Sequence, residues 1–214
     1  MSTDWPTRAE LYEFLNHVVG VLEKLKIPYM IVGGLAAIIH GTPRFTRDAD
    51  IVLDMQLHHI RPFIAEFPLE EGYYADEYMI ADSLIRREPF NVLQSYTGAK
   101  IDLVPVSADR IDREAFARRV QLVYDVGLGR TAWFARAEDV IIAKLLAFHN
   151  TGSQKHAQDA HNVLAVNWRF LSISQLTKSA RATGVQAEWE SMLEAVAREL
   201  GETPPGPGDE SPGS

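Results

Sequence analysis

Asp48-Ala49-Asp50 opens an apolar run, Ile51-Val52-Leu53, and Gly33-Gly34 closes another, Tyr29–Val32. On an extended strand alternate side chains share a face, so Asp48 and Asp50 point the same way, roughly 6.5–7 Å apart. Carboxylates that close repel: one takes up a proton, or the group holds a cation. Carboxylate oxygens with open positions suit Mg²⁺, which keeps waters and phosphate oxygens beside few protein ligands. Asp102 offers a third carboxylate, an acid set among Ile101, Leu103 and Val104 where strands disfavour one. At Gly33-Gly34 a strand-to-helix turn without Cβ atoms lets backbone approach a ligand closely. The helix behind it presents free N–H groups and the positive end of its dipole, a setting for phosphate. A phosphate turn and an acidic pair, separated by one short helix and a return loop, together suit a nucleoside triphosphate with Mg²⁺.

The elements that must position these residues follow from pattern. Residues 29–54 read as strand, Gly-Gly turn, short helix (Leu35–Ile39), polar loop and strand. Before them, residues 7–25 make an amphipathic helix: Thr7 and Glu10 have capping-box spacing, and Leu11, Phe14, Leu15, Val18, Leu22 and Leu25 recur at helical period. After them come helices over 57–66 and 76–87, with Pro68 and Gly72 bracketing the connection between the two. Phe90–Tyr96 and Ile101–Val106 read as strands of a hairpin turned at Thr97–Lys100, which places Asp102 on the second arm. Asp112–Arg118 is a short helix. Val120–Val126 and Thr131–Ala135 form a second hairpin around Gly127-Leu128-Gly129-Arg130. Helices are expected over Glu138–His149, Lys155–Val166, Ser172–Thr183 with a Ser172/Gln175 capping box, and 187–200. Strands dominate the middle and helices the last third, so the expected class is α+β. The expected division is an α+β core over 1–135, a helical part over 136–200 packed on that core, and a Pro/Gly/Ser/acidic tail over 201–214 that is disordered.

Composition narrows the function classes. The formal charge of −8 argues against a protein that coats nucleic acid, although Arg44/Arg47, Arg86/Arg87 and Arg118/Arg119 are local basic clusters. The absence of cysteine removes thiol nucleophiles, disulfides and thiolate metal sites. No apolar run is long enough to span a membrane, and MSTDWPTRAE lacks the order of a signal peptide; both point to the cytoplasm. His149, His156 and His161, with Asp159, lack the spacing of a recognised metal motif. Paired His58-His59 reads as surface, and His40 suits the C-terminal end of the short helix.

The run Val32-Gly33-Gly34, then 13 residues (35–47), then Asp48-Ala49-Asp50 and an apolar strand resembles the nucleotidyltransferase superfamily of the polymerase-β type. Within it the chain is similar to bacterial nucleotidyltransferase-like proteins related to the AbiEii toxins of abortive-infection and toxin–antitoxin systems. GGLAAIIHG, PRFTRDADIVLD, EDVIIAKLLAFH and KHAQDAHNVL carry the resemblance, which spans roughly residues 10–166. It implies a small mixed β-sheet nucleotidyltransferase core packed by helices. Asp48 and Asp50 would bind metal, with Asp102 at the place of the third carboxylate, and two Mg²⁺ (or Mn²⁺) ions would bridge triphosphate and acceptor. Gly33 and Gly34 would meet phosphate. Arg44 and Arg47 are read either as phosphate or acceptor contacts or as charge balance for the acidic pair. Lys144, amid apolar residues of its helix, is read either as a snorkelling lysine or as a triphosphate contact. Toxin-like relatives carry a Lys in this helix and a Lys…Asp segment after it, which here are Lys144 and Lys155/Asp159.

Three functions are open on these grounds. The first is a metal-dependent enzyme of the 2.7.7 type, moving a nucleoside monophosphate from an NTP such as ATP to an acceptor hydroxyl on tRNA, protein or a small molecule. The second is a nucleotide- or partner-binding module of the same fold with little or no catalysis, working with a cognate toxin or antitoxin. The third is a structural protein whose Gly and Asp residues make turns.

Overall fold

The computed structural model describes residues 6–203, so most of the expected tail lies outside the described residues. The chain divides into two compact units. One takes the residues up to Leu35 together with Phe45–Ala135, and the other takes Ala36–Arg44 and the chain from Arg136 on. The expected core over 1–135 includes residues 36–44, which this division groups with the second unit.

The first unit is built on α1 (Arg8–Lys24) and a seven-stranded mixed sheet. Thr7 caps α1: its side chain accepts from the Glu10 amide, and the Glu10 carboxylate accepts from Thr7 in return. Leu11, Phe14, Leu15, Val18 and Leu22 are buried along one side of this helix. Burying such a side chain stabilises by about 1.5–3 kcal/mol each. The strands are β1 (Tyr29–Val32), β2 (Asp48–Leu53), β3 (Tyr73–Tyr74), β4 (Phe90–Gln94), β5 (Ala99–Pro105), β6 (Val120–Asp125) and β7 (Arg130–Phe134). Their order across the sheet is β3-β4-β5-β2-β1-β7-β6. Both expected hairpins form: β4 and β5 pair antiparallel, as do β6 and β7, the latter with an irregularity between Val123 and Asp125.

Along β2 the residues Ala49, Ile51 and Leu53 are buried, while Asp48, Asp50 and Val52 take the other face. The same alternation runs along β5, with Ala99, Ile101 and Leu103 fully buried. One face of these central strands is therefore core, and the other carries the polar side chains. α2 (Gly33–Ile39) follows β1 directly and includes both glycines, rather than beginning after them.

Three local features differ from the pattern reading. Residues 57–66 split into a 3-10 turn, Leu57–His59, and α3 (Ile60–Ile64). Pro62 has no N–H to give to the carbonyl of His58, so the α-helical ladder cannot run through that turn. Tyr73–Tyr74 pairs antiparallel with β4, a strand too short to show alternation. β5 begins at Ala99, two residues before the expected start. α4 (Glu77–Arg86), capped by Asp76, and α5 (Arg110–Ala117), capped by Asp109, complete the helices of this unit.

The second unit holds α6 (Ala137–Thr151), α7 (Gln154–Asn167), α8 (Ile173–Thr183) and α9 (Gln186–Leu200). Gly152 ends α6 at φ 67°, a left-handed conformation that glycine adopts without steric penalty. The Ser172 hydroxyl accepts from the Gln175 amide at the start of α8. Val163, Leu164, Leu176 and Trp189 are fully buried, and the indole N–H of Trp189 donates to Thr177 Oγ1 at 3.0 Å. No helix among the described residues is long and apolar enough to cross a membrane.

Candidate active site

The three acidic residues singled out by pattern come together on the first unit's sheet. β2 and β5 lie side by side and parallel, with Asp48 opposite Lys100 and Asp50 opposite Asp102. Residues in register on neighbouring strands face the same way, about 4.8 Å apart. Asp48, Asp50 and Asp102 therefore share the polar face of two adjacent strands. β1 flanks Asp50 with Val32, so the end of β1 and the start of α2 border the cluster.

Gly33 is bound to this cluster by shape. Its φ is +66°, and a Cβ added to it would lie 2.0 Å from Asp50 Oδ2. The bare side of the glycine is where the Asp50 carboxylate rests. The sequence reading assigned this glycine to close approach by a ligand; it also permits close approach by the protein's own acid. Gly34 is the second residue of α2 and half-buried.

Two residues the pattern reading did not place in the site belong to it. Thr46 is buried and its hydroxyl donates to Asp48 Oδ1 at 2.8 Å, which orients that carboxylate. Lys100 Nζ lies 2.6 Å from Asp102 Oδ2. The hydrogen bond to Asp102 comes first, with the charges of Asp102, Asp48 and Asp50 behind it, in holding the Lys100 ammonium above its ordinary pKa. The signal for Lys100 was present: it stands two residues before Asp102, hence on the same strand face. Assigning it to the hairpin turn hid it. Arg47 is exposed in the approach to β2.

Hard oxygen donors on one strand face are the right kind for Mg²⁺. Among the described residues, however, no group of three or more His, Asp or Glu side chains converges closely enough to hold a metal ion. Asp48 and Asp50 supply carboxylate oxygens of the kind a partly hydrated Mg²⁺ takes, while Asp102 Oδ2 is 2.6 Å from Lys100 Nζ. A separate cleft of about 720 Å³ in the same unit, bordered by Glu13, His17, Tyr73 and Tyr124, has none of the three aspartates in its lining.

Arg44, Lys144 and Asp159 meet within the second unit. Arg44 Nε donates to Asp159 Oδ1 at 2.7 Å and its Nη2 to Oδ2 at 2.8 Å, a two-pronged contact. Lys144 Nζ reaches Oδ2 at 2.8 Å. Asp159 is 1% exposed and Lys144 is 6% exposed. Lys144 is thus a buried ion-pair partner rather than a lysine reaching to solvent. Burial alone pushes the Asp159 carboxyl up, but the hydrogen bonds from Arg44 and Lys144 outweigh it and hold the pKa below the usual carboxylate value. Lys155 is exposed in the first turn of α7.

A mixed sheet with a helix starting on glycines after β1, an Asp-x-Asp at the head of β2 and a third Asp in register on β5 agrees with what the resemblance to nucleotidyltransferases implies. The family described as "Nucleotidyltransferase of unknown function (DUF6036)" matches residues 9–193, and the chain belongs to this family. No curated protein matches the sequence. Among solved structures, the chain is similar to the antibiotic-resistance factor ANT(2'')-Ia in solution, at 11% identity and a TM-score of 0.51, covering 91% of this chain and 99% of that one. It is also similar to an antigenic nucleotidyltransferase-like protein from Paracoccidioides brasiliensis, at 16% identity, TM-score 0.49, and 91% and 90% coverage. The lincosamide antibiotic adenylyltransferase LnuA, lincomycin-bound, gives 18% identity, TM-score 0.44, and 75% and 98% coverage. At 11% identity the likeness to ANT(2'')-Ia is one of fold.

Proposed function

We propose that the chain transfers a nucleoside monophosphate from an NTP to an acceptor hydroxyl, releasing pyrophosphate, with the β2–β5 face as its active site. The supporting observation is the register that sets Asp50 beside Asp102, with Asp48 on the same face, in a member of a nucleotidyltransferase family. Asp48 and Asp50 would hold Mg²⁺ or Mn²⁺, one or two ions with bound NTP, which supply the positive charge that the triphosphate and the developing pyrophosphate need. Thr46 keeps one Asp48 oxygen oriented. Gly33 leaves room for Asp50, and Gly34 and Arg47 offer backbone and guanidinium N–H groups to phosphate oxygens. The acceptor oxygen forms a bond to the α-phosphorus as the bond to the bridging oxygen of pyrophosphate breaks. The acceptor proton passes to Asp102 or to water. Arg44, Lys144, Lys155 and Asp159 are left out of this reading, since the first two already hold the last within the second unit.

The Lys100–Asp102 contact favours a second reading, a nucleotide- or partner-binding module with weak catalysis, because it occupies the third carboxylate. The resemblance to AbiEii-related proteins extends either reading to an abortive-infection or toxin–antitoxin component with a cognate partner. Calorimetric titration with ATP, GTP, CTP and UTP, each with Mg²⁺ or Mn²⁺, tests the common ground. Wild type is expected to bind at least one NTP only with metal, and Asp50→Ala to bind none. Failure of wild type to bind any NTP with either metal removes the enzymatic reading.

A further inference from the structure

Lys100 places a positive charge inside the acidic face. It stands in register beside Asp48 across β2 and β5, and two residues from Asp102 on the same face. Its ammonium is 2.6 Å from Asp102 Oδ2, and the lysine side chain is 42% exposed against 24% for the aspartate. Three carboxylates on this face thus meet one resident ammonium, bound to the carboxylate that a divalent ion would need as its third protein ligand. No group of three or more His, Asp or Glu side chains among the described residues converges closely enough to hold a metal ion, and the Asp102 carboxylate is in contact with Lys100.

We infer that Lys100 is an internal counter-cation that competes with divalent metal for Asp102. The inference rests on the metal-binding reading of the same face. Lys100 sets how strongly the empty protein takes up a metal ion, because Asp102 joins the metal's ligands only when the ammonium lets go. Like charges keep an ammonium and a divalent ion from sharing one carboxylate at close range. The ammonium also lowers the mutual repulsion of the three acids while no metal is present.

The test is Mn²⁺ binding to the full chain, followed by the loss of free Mn²⁺ signal in electron paramagnetic resonance, for wild type, Lys100→Met, Lys100→Arg and Asp50→Asn. Partly exposed ion pairs are weak, so Lys100→Met is expected to tighten Mn²⁺ about three- to fivefold. Lys100→Arg, which keeps the charge, is expected to stay within twofold of wild type, and Asp50→Asn to lose binding. Lys100→Gln serves in place of the methionine variant if that one does not fold. Unchanged or weaker Mn²⁺ binding in Lys100→Met, with Asp50→Asn still deficient, overturns the role of Lys100 and leaves the metal site standing. Absence of Mn²⁺ binding in wild type and Lys100→Met alike overturns both.

Discussion

Two ionic clusters in this molecule use the same side-chain chemistry with opposite balance. In the second unit one carboxylate, Asp159, receives both Arg44 and Lys144, and is 1% exposed. In the first unit three carboxylates share a strand face with one ammonium, and Asp102 and Lys100 both keep access to water. Burying a charge is costly unless it is paired and hydrogen-bonded, and Asp159 is both. On the β2–β5 face Asp48, Asp50 and Asp102 gather beside Lys100, part-exposed rather than sealed in. The first arrangement is sealed from water; the second is the one to which the proposed function assigns a metal ion.

Substitutions in the two clusters should separate these roles. Asp50→Ala should give the largest effect, a loss of nucleotidyl transfer of at least about hundredfold, because charge stabilisation by bound metal is worth several kcal/mol; melting temperature should change little. Asp159→Ala should do the reverse in kind. Leaving two cations without their carboxylate in a buried position costs about 3–5 kcal/mol, visible in chemical denaturation. If Asp50→Ala unfolds the protein while Asp159→Ala does not, the contrast is inverted.

Gly33→Ala lies between them. A left-handed non-glycine residue costs about 1–3 kcal/mol, and the new methyl would displace the Asp50 carboxylate from 2.0 Å. Stability and metal binding should both fall; loss of stability with intact Mn²⁺ affinity would detach the glycine from the site.

The smallest effect is one of pH. Asp159 has its pKa depressed in the folded chain below 3.8. A depressed carboxylate contributes stability that is present above its unfolded pKa and is lost as pH falls through the folded value. Wild-type stability should therefore decline from about pH 4 downward, and Asp159→Asn should flatten that decline. An equally steep acid limb in the variant would assign it to other carboxylates.

Much of this was legible in the sequence because the signals were local. Gly33-Gly34, Asp48-Ala49-Asp50 and the period of α1 declare themselves within a few residues. Asp102 stood out because an acid in an apolar strand is a local oddity. What could not be read was register. The hairpin joining β4 and β5 is visible as two runs and a turn, but nothing in either run says that β5 also lies parallel to β2 with Asp50 opposite Asp102. Lys100 was lost through a boundary: a strand start at Ile101 leaves it in a turn, whereas the start at Ala99 aims it at Asp102. Asp159 entered the site candidates only through the resemblance, as the end of a Lys155…Asp159 segment, and its partners Arg44 and Lys144 lie 115 and 15 positions away (159 − 44 and 159 − 144). Helical period and strand alternation are written over a few residues; charge pairing across the chain is not.

The most direct measurement is transfer of label from α-³²P-labelled ATP, GTP, CTP and UTP, with Mg²⁺, to total tRNA, lysate protein and small-molecule fractions, for wild type beside Asp50→Asn. Label from at least one NTP is expected on one acceptor class with wild type, with matching pyrophosphate release, and none with Asp50→Asn. Equal labelling by both proteins, or no labelling by wild type from any of the four nucleotides, contradicts the proposed transfer.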